Sequence, residues 1–361
     1  MLTNRRWLLA TAAATSLASC TTRSKPPSPT VLSSARDTIL LPYTSAARAV
    51  WLGGDRWAVL APNEGTVAVA DFAAKSVGRL GGDRDTTLRN PTTMFLVRDT
   101  LYIGDWGRRR VTLWTPDGRM VHSIDVSTLI QGALPQDRDA SGRFYFELRP
   151  SNGTSGGMDS GVVARTGATA DRGDTVARLT PYDLVEVIDN QGRHFERRVF
   201  SGSDVWGAAA DGSVWVARVR HNRLDWRAPD GRWTKGEALP DRVLEVTRYD
   251  REMFIRNFPP EMRSAAQQQP FSPLKPPFED AFAATDGSVW LVKSRSPLDS
   301  AGRNHMVDRR GHLQRDLRVP GAGRLIGASG DAAIVVERMP TGARLLRFSL
   351  PPIDSEAPSG H

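Results

Sequence analysis

The chain of 361 residues is 40% hydrophobic and 24% charged, with 48 basic against 40 acidic residues and a formal net charge of +8. These proportions exclude a disordered chain, and a single cysteine excludes a disulfide-stapled scaffold. Only five of the basic residues are lysine (25, 75, 235, 275 and 293), an arginine bias that fits both a GC-rich genome and a demand for anion recognition.

At the N-terminus, Arg5 and Arg6 precede the apolar run WLLATAAATSLA, which closes on small residues before Cys20. This is the layout of an export signal, and the run is too short to cross a bilayer as a permanent helix. The tetrapeptide LASC, Leu17–Cys20, resembles the lipobox of bacterial lipoproteins, which implies removal of residues 1–19 and a lipid on Cys20. The arginine pair with Trp7, Leu8 and Leu9 also resembles a twin-arginine signal without its usual lysine, so the export route stays open, as does the choice of inner or outer membrane. Residues 20–35, rich in Ser, Thr and Pro, read as a flexible tether, so the membrane is met through the lipid alone. The expected location is the cell envelope, periplasmic or on the cell surface.

From residue 36 onward, apolar and polar residues alternate in short runs between tight turn signals, the pattern of half-buried strands joined by hairpins. A small turn followed by a β-rich run recurs six times: Gly54-Asp55 then RWAVLA, Asp99-Thr100 then LYIGD, Ser141-Gly142 then RFYFEL, Asp211-Gly212 then SVWVAR, Asp286-Gly287 then SVWLVK, Gly330-Asp331 then AAIVVE. The marks at 55, 99, 142, 211, 286 and 331 leave three intervals of 43 to 45 residues and two longer ones of 69 and 75. A period in the low forties holding four strands is that of a β-propeller blade. The expected fold is all-β, a six-bladed propeller over residues 36–350 with a disordered tail at 351–361. A sandwich of many short strands is the competing reading, but it does not repeat one turn mark at constant spacing. At the centre of each second strand stand Ala58, Tyr102, Tyr145, Trp215, Trp290 and Ile334, read as packing positions. The sixth unit lacks a strand, and Arg36–Tyr43 is expected to supply it beside ARLLRFSL.

The stretch LYIGDWGRRRV followed by TPDG resembles the six-bladed propellers of the NHL-repeat type, matching Asp105, Arg110 and Val111 and departing at Arg108. Only this unit carries the specific pattern.

No nucleophile elbow, HExxH motif or phosphate loop is present, and the six histidines are scattered. Two classes of function are left. The first is a binding or scaffold module. In four units the second strand runs into bases, and Arg108, Arg110, Arg218, Arg220 and Lys293 are expected to bind a protein or an anionic polysaccharide. Nucleic acid is not expected, since the clusters lack interleaved aromatics. A monomer is expected, with no cofactor. The alternative is a metal-dependent hydrolase, lactonase or lyase. Six-bladed lactonases hold a divalent cation in the central channel with amide and carboxylate oxygens, and that resemblance implies Ca²⁺ or another divalent ion on Asn90, Asp204, Glu279 and Asp280. Two long insertions, about 150–179 between second and third strands and 241–277 between units, are expected on one face, which becomes the working face.

Overall fold

The computed structural model describes residues 26–82, 87–148, 160–166, 173–189 and 192–353. Cys20 and the export signal lie outside the described residues, as does the tail from 354.

The chain forms six antiparallel four-stranded blades, a six-bladed β-propeller. From inside to outside, blade one is Arg48–Gly53, Arg56–Ala61, Thr66–Asp71 and Ser76–Arg79. Blade two is Pro91–Val97, Thr100–Asp105, Arg110–Trp114 and Met120–Asp125. Blade three is Asp137–Arg138, Phe144–Leu148, Val162–Thr166 and Gly173–Arg178, and blade four is Val205–Ala208, Val214–Arg218, Arg223–Arg227 and Trp233–Lys235. Blade five comprises Phe278–Ala283, Val289–Lys293, Ala301–Val307 and Leu313–Pro320. Blade six takes three strands from the C-terminal end, Arg324–Ala328, Ala332–Arg338 and Ala343–Ser349. Its fourth is β2 (Asp37–Leu41), which pairs antiparallel with Ala343–Ser349 and closes the ring as expected.

The blades are held by six apolar layers, one between each pair of neighbours. Each layer contains one of the six second-strand positions: Ala58, Tyr102, Tyr145, Trp215, Trp290 and Ile334 are all buried. Trp215 and Trp290 are therefore core, contributing on the order of 1.5–3 kcal/mol each through burial. The packing is close enough to demand glycine where blades four and five touch. A Cβ on Gly311, whose φ is +81°, would lie 2.2 Å from the Cα of Gly236.

Three features depart from the sequence reading. The tether is ordered from its middle: β1 (Pro29–Val31) pairs in parallel with Asp316–Arg318 as a fifth strand on blade five, and Leu32 is buried between blades five and six. Alternating Thr30, Val31 and Leu32 suffice for an edge strand once an unpaired outer edge is offered. Blade three takes its outer strands from Val162–Thr166 and Gly173–Arg178, inside the segment read as an insertion. These strands are short, and their buried apolar residues, Val163, Ala164, Val176 and Ala177, come as adjacent pairs, so period-two alternation is faint. The stronger alternation of Leu184–Asp189 and Gly192–Arg197 belongs instead to an extra two-stranded hairpin between blades three and four.

Candidate ligand-binding face

In an up-and-down blade, first-to-second and third-to-fourth connections emerge on one face, and second-to-third and interblade connections on the other. On the first face the connections among the described residues are tight turns, such as Asp99-Thr100 and Pro116-Asp117-Gly118. The second carries the arginine turn of blade two, the extra hairpin, and the helices α1 (Arg248–Arg256) and α2 (Arg263–Gln268) between blades four and five.

The insertions are joined into one cap. The Val199 N–H donates to the Pro270 carbonyl at 2.8 Å and the Ser272 N–H to the Val199 carbonyl at 2.9 Å, linking the hairpin's exit to the segment after α2. The rings of Phe200, Phe254, Phe258 and Phe271 cluster with centroids 5.1 to 6.1 Å apart. Helix α1 opens on a capping box, Thr247 with Asp250, a sequence signal of the S/T-x-x-D/E kind that identifies the helix start. The Asp250 carboxylate also accepts from Lys275 Nζ at 2.6 Å, and Lys275 donates to the Arg295 carbonyl at 2.9 Å. This buried pair fastens the cap to blade five.

The basic residues divide into two groups. Arg108 is exposed and Arg220 is exposed. Arg110 donates to the Thr87 carbonyl at 2.6 Å. Arg218 is turned inward, bonded to Asp204 at 2.9 Å, the Arg178 carbonyl at 2.7 Å and Asp225 at 3.3 Å. Lys293 corrects the sequence expectation outright. Its side chain is 2% exposed, with Nζ 3.0 Å from Asp241 and 2.6 Å from the Asn222 amide oxygen. Burial lowers it to about 8, although Asp241 opposes the shift. A lysine ending a strand reads as surface from sequence, but here the interblade segment bearing Asp241 folds back over it. His305 lies within the third strand of blade five between Asp241 and Asp316, and burial followed by the Lys293 charge keeps it neutral.

The four oxygens expected to ring a cation do not form one donor set. Asn90 is exposed at the start of blade two. Asp204 is buried and saturated by the Thr180 N–H and hydroxyl, the Val219 N–H and Arg218. Asp280 bridges Arg48 and Arg324 at 3.0 Å each, tying the inner strands of blades five, one and six together. Beside it, Glu279 is exposed on the same strand, and partial desolvation pushes its carboxyl up against the pull of Arg324. Two of the four carboxylates and amides thus already neutralise arginines, and among the described residues no group of three or more acidic, His or Cys side chains is placed to hold a metal.

Sequence reasoning missed two residues. Asp137, on the inner strand of blade three, accepts hydrogen bonds from the Ala208 N–H at 2.8 Å and the Arg138 N–H at 2.9 Å, with no cation paired to it among the described residues. Burial raises its carboxyl to about 7, and nearby Asp139 adds to the shift. The other is Trp106, 50% exposed on the arginine turn.

No protein-family model matches the chain, and no curated protein sequence matches it significantly. Among solved structures it is similar to virginiamycin B lyase from Staphylococcus aureus, at 8% identity over 87% of this chain and 98% of that one, with a TM-score of 0.46. It is also similar to a calcium-binding protein, regucalcin, from Agrobacterium tumefaciens (9% identity, 91% and 98% covered, TM-score 0.43) and to a luciferin-regenerating enzyme (10%, 87% and 95%, 0.42). At this distance nothing about chemistry transfers.

Proposed function

We propose that the protein is an exported, lipid-anchored binding propeller that recognises an anionic envelope ligand, an acidic polysaccharide, on its elaborated face. The observation that carries the reading is the asymmetry of the faces. Both long interblade insertions fold together on one side, through the Val199 backbone and the rings of Phe200, Phe254 and Phe271, while the described connections of the other side are tight turns. Loops elaborated on one side of a rigid scaffold are where recognition resides. The parallel pairing of β1 supports the same orientation. Pro29 lies beside Asp316 and Val31 beside Arg318, so the chain preceding Pro29 leaves blade five at the end of its outer strand next to a tight turn. Cys20 is nine residues upstream, a reach of at most about 30 Å. A lipid there turns the tight-turn face toward the membrane and the cap away from it. An NHL-like second blade, with Asp105 accepting from the backbone of Arg89, Asn90 and Arg108, fits this account. The metal-dependent hydrolase alternative loses its donors to Arg218, Arg48 and Arg324, and no step is assigned through a cation.

The test is affinity electrophoresis of the mature protein in gels containing polygalacturonate or neutral dextran, together with fractionation of a Cys20→Ala variant. Retardation by polygalacturonate alone, weakened by salt, and release of the variant from membranes are expected. A protein retarded by neither polymer at low salt refutes the ligand class. A Cys20→Ala protein that is processed and stays in the membrane refutes the anchor.

A further inference from the structure

The turn Asp105–Arg110 is built to hold one aromatic ring in water. Asp105 is fully buried, and its carboxylate accepts from the backbone N–H groups of Arg89 at 2.9 Å, Asn90 at 2.9 Å and Arg108 at 3.3 Å. The Trp106 N–H donates to the Asn90 carbonyl at 2.9 Å, so the turn is clamped onto the start of the inner strand of blade two, beside the channel mouth. Gly107 lies flat against Asn90 and Arg89, where a Cβ would come within 3.0 to 3.2 Å of their side chains. Arg109 closes the turn in the left-handed region, φ 53°, and its guanidinium sits 4.6 Å from the Trp106 ring centroid. Gly132 lies against the same guanidinium, and a Cβ there would fall 2.7 Å from Arg109 Nη2. The indole is therefore backed by a cation packed close to Gly132, and half of its surface still meets solvent.

An immobilised, half-exposed indole is costly to leave in water and is the kind of residue on which binding energy concentrates. Its surroundings select the chemistry of what covers it. Arg89 and Arg109 are exposed beside it, while the turn's one acid, Asp105, is buried and accepts from backbone N–H groups. The unbacked indole face offers a flat apolar surface with exposed guanidinium groups at its edge. That combination fits a ligand with a flat C–H-rich ring bearing a carboxylate, which stacks on the indole while its anion meets arginine.

We propose that Trp106 and the arginines of its turn form a binding site for the uronate-type rings of an acidic polysaccharide. The site rests on the ligand class assigned under Proposed function and gives it a location. It lies on the elaborated face, which the anchoring geometry turns away from the membrane.

The experiment compares wild type, Trp106→Ala and Trp106→Phe in gels and titrations with polygalacturonate, with dextran and anionic phosphatidylglycerol vesicles as controls, and with melting temperatures measured on all three. Trp106→Ala is expected to weaken polygalacturonate binding about tenfold or more with an unchanged melting temperature, because truncating a central aromatic anchor removes more than ~1.4 kcal/mol. Trp106→Phe, which keeps a ring, retains most of the affinity. Wild-type binding that Trp106→Ala leaves intact overturns the site while the ligand class stands. Binding to vesicles but not to polygalacturonate, or to neither, overturns both.

Discussion

Replacing Asp137 by Asn is expected to change the pH dependence of stability in one direction. The carboxyl is raised from a reference of 3.8 to about 7 by burial, with Asp139 adding repulsion. Between those two values the unfolded chain is ionised while the folded chain keeps its proton. The stability that the protonated carboxyl contributes is complete below pH 3.8 and is lost as pH rises through 7. At 1.36 kcal/mol per pH unit, ionising Asp137 in place costs on the order of 4 kcal/mol by pH 8. Asn cannot ionise. Its carbonyl oxygen takes over the 2.8 Å bond from the Ala208 N–H, while its amide group faces the Arg138 N–H and forfeits that bond, a loss of about 1 kcal/mol. Urea denaturation followed by tryptophan fluorescence at pH 4.5, 6, 7 and 8 measures the difference between the two proteins, in which all other titrations cancel. The expected difference is within about 1 kcal/mol at pH 4.5 and grows to about 3 kcal/mol in favour of Asp137→Asn at pH 8. Parallel pH curves, or a variant less stable at pH 8, would refute the account.

Deleting residues 36–43 removes β2 with its buried Ile39 and Leu41 and strips the cover from Leu345, so a loss on the order of 3–6 kcal/mol is expected in thermal unfolding; an unchanged melting temperature would contradict closure by this strand. Lys275→Met leaves the Asp250 carboxylate buried without its cation, and the cap should loosen before the blades do. Limited proteolysis should then cut within 248–268 while the propeller core survives, and an undiminished protease resistance of that segment would count against the pin.

The arginine turn was legible in sequence because it is local, and the capping box, equally local, was passed over inside a segment read as an insertion. Asp105 caps the N–H of Arg108 three residues on, and Thr247 and Asp250 are three apart. Trp106 was read past because exposure is not a property of sequence. The same indole at Trp215 or Trp290 is buried between blades.

Blade number, the turn marks and the six interblade packing positions followed from the chain alone, because period-two alternation and tight turns are imposed by the geometry of a strand and its immediate neighbours. The closing role of β2 followed as well, since a ring of strands cannot leave one edge unpaired. What only the tertiary structure decided concerns charges and unpaired edges that meet across long separations. Lys293 and Asp241 are 52 residues apart, as numbered, and their pairing turned an expected surface cation into a buried one. Arg48 and Asp280 meet only because the ring brings blade one to within one blade of blade five. Residues 29–31 became a strand because the outer edge of blade five was open to them. In each case the side chain or segment is compatible with water, so its own sequence leaves both outcomes open, and the deciding term is a partner that only ring closure delivers.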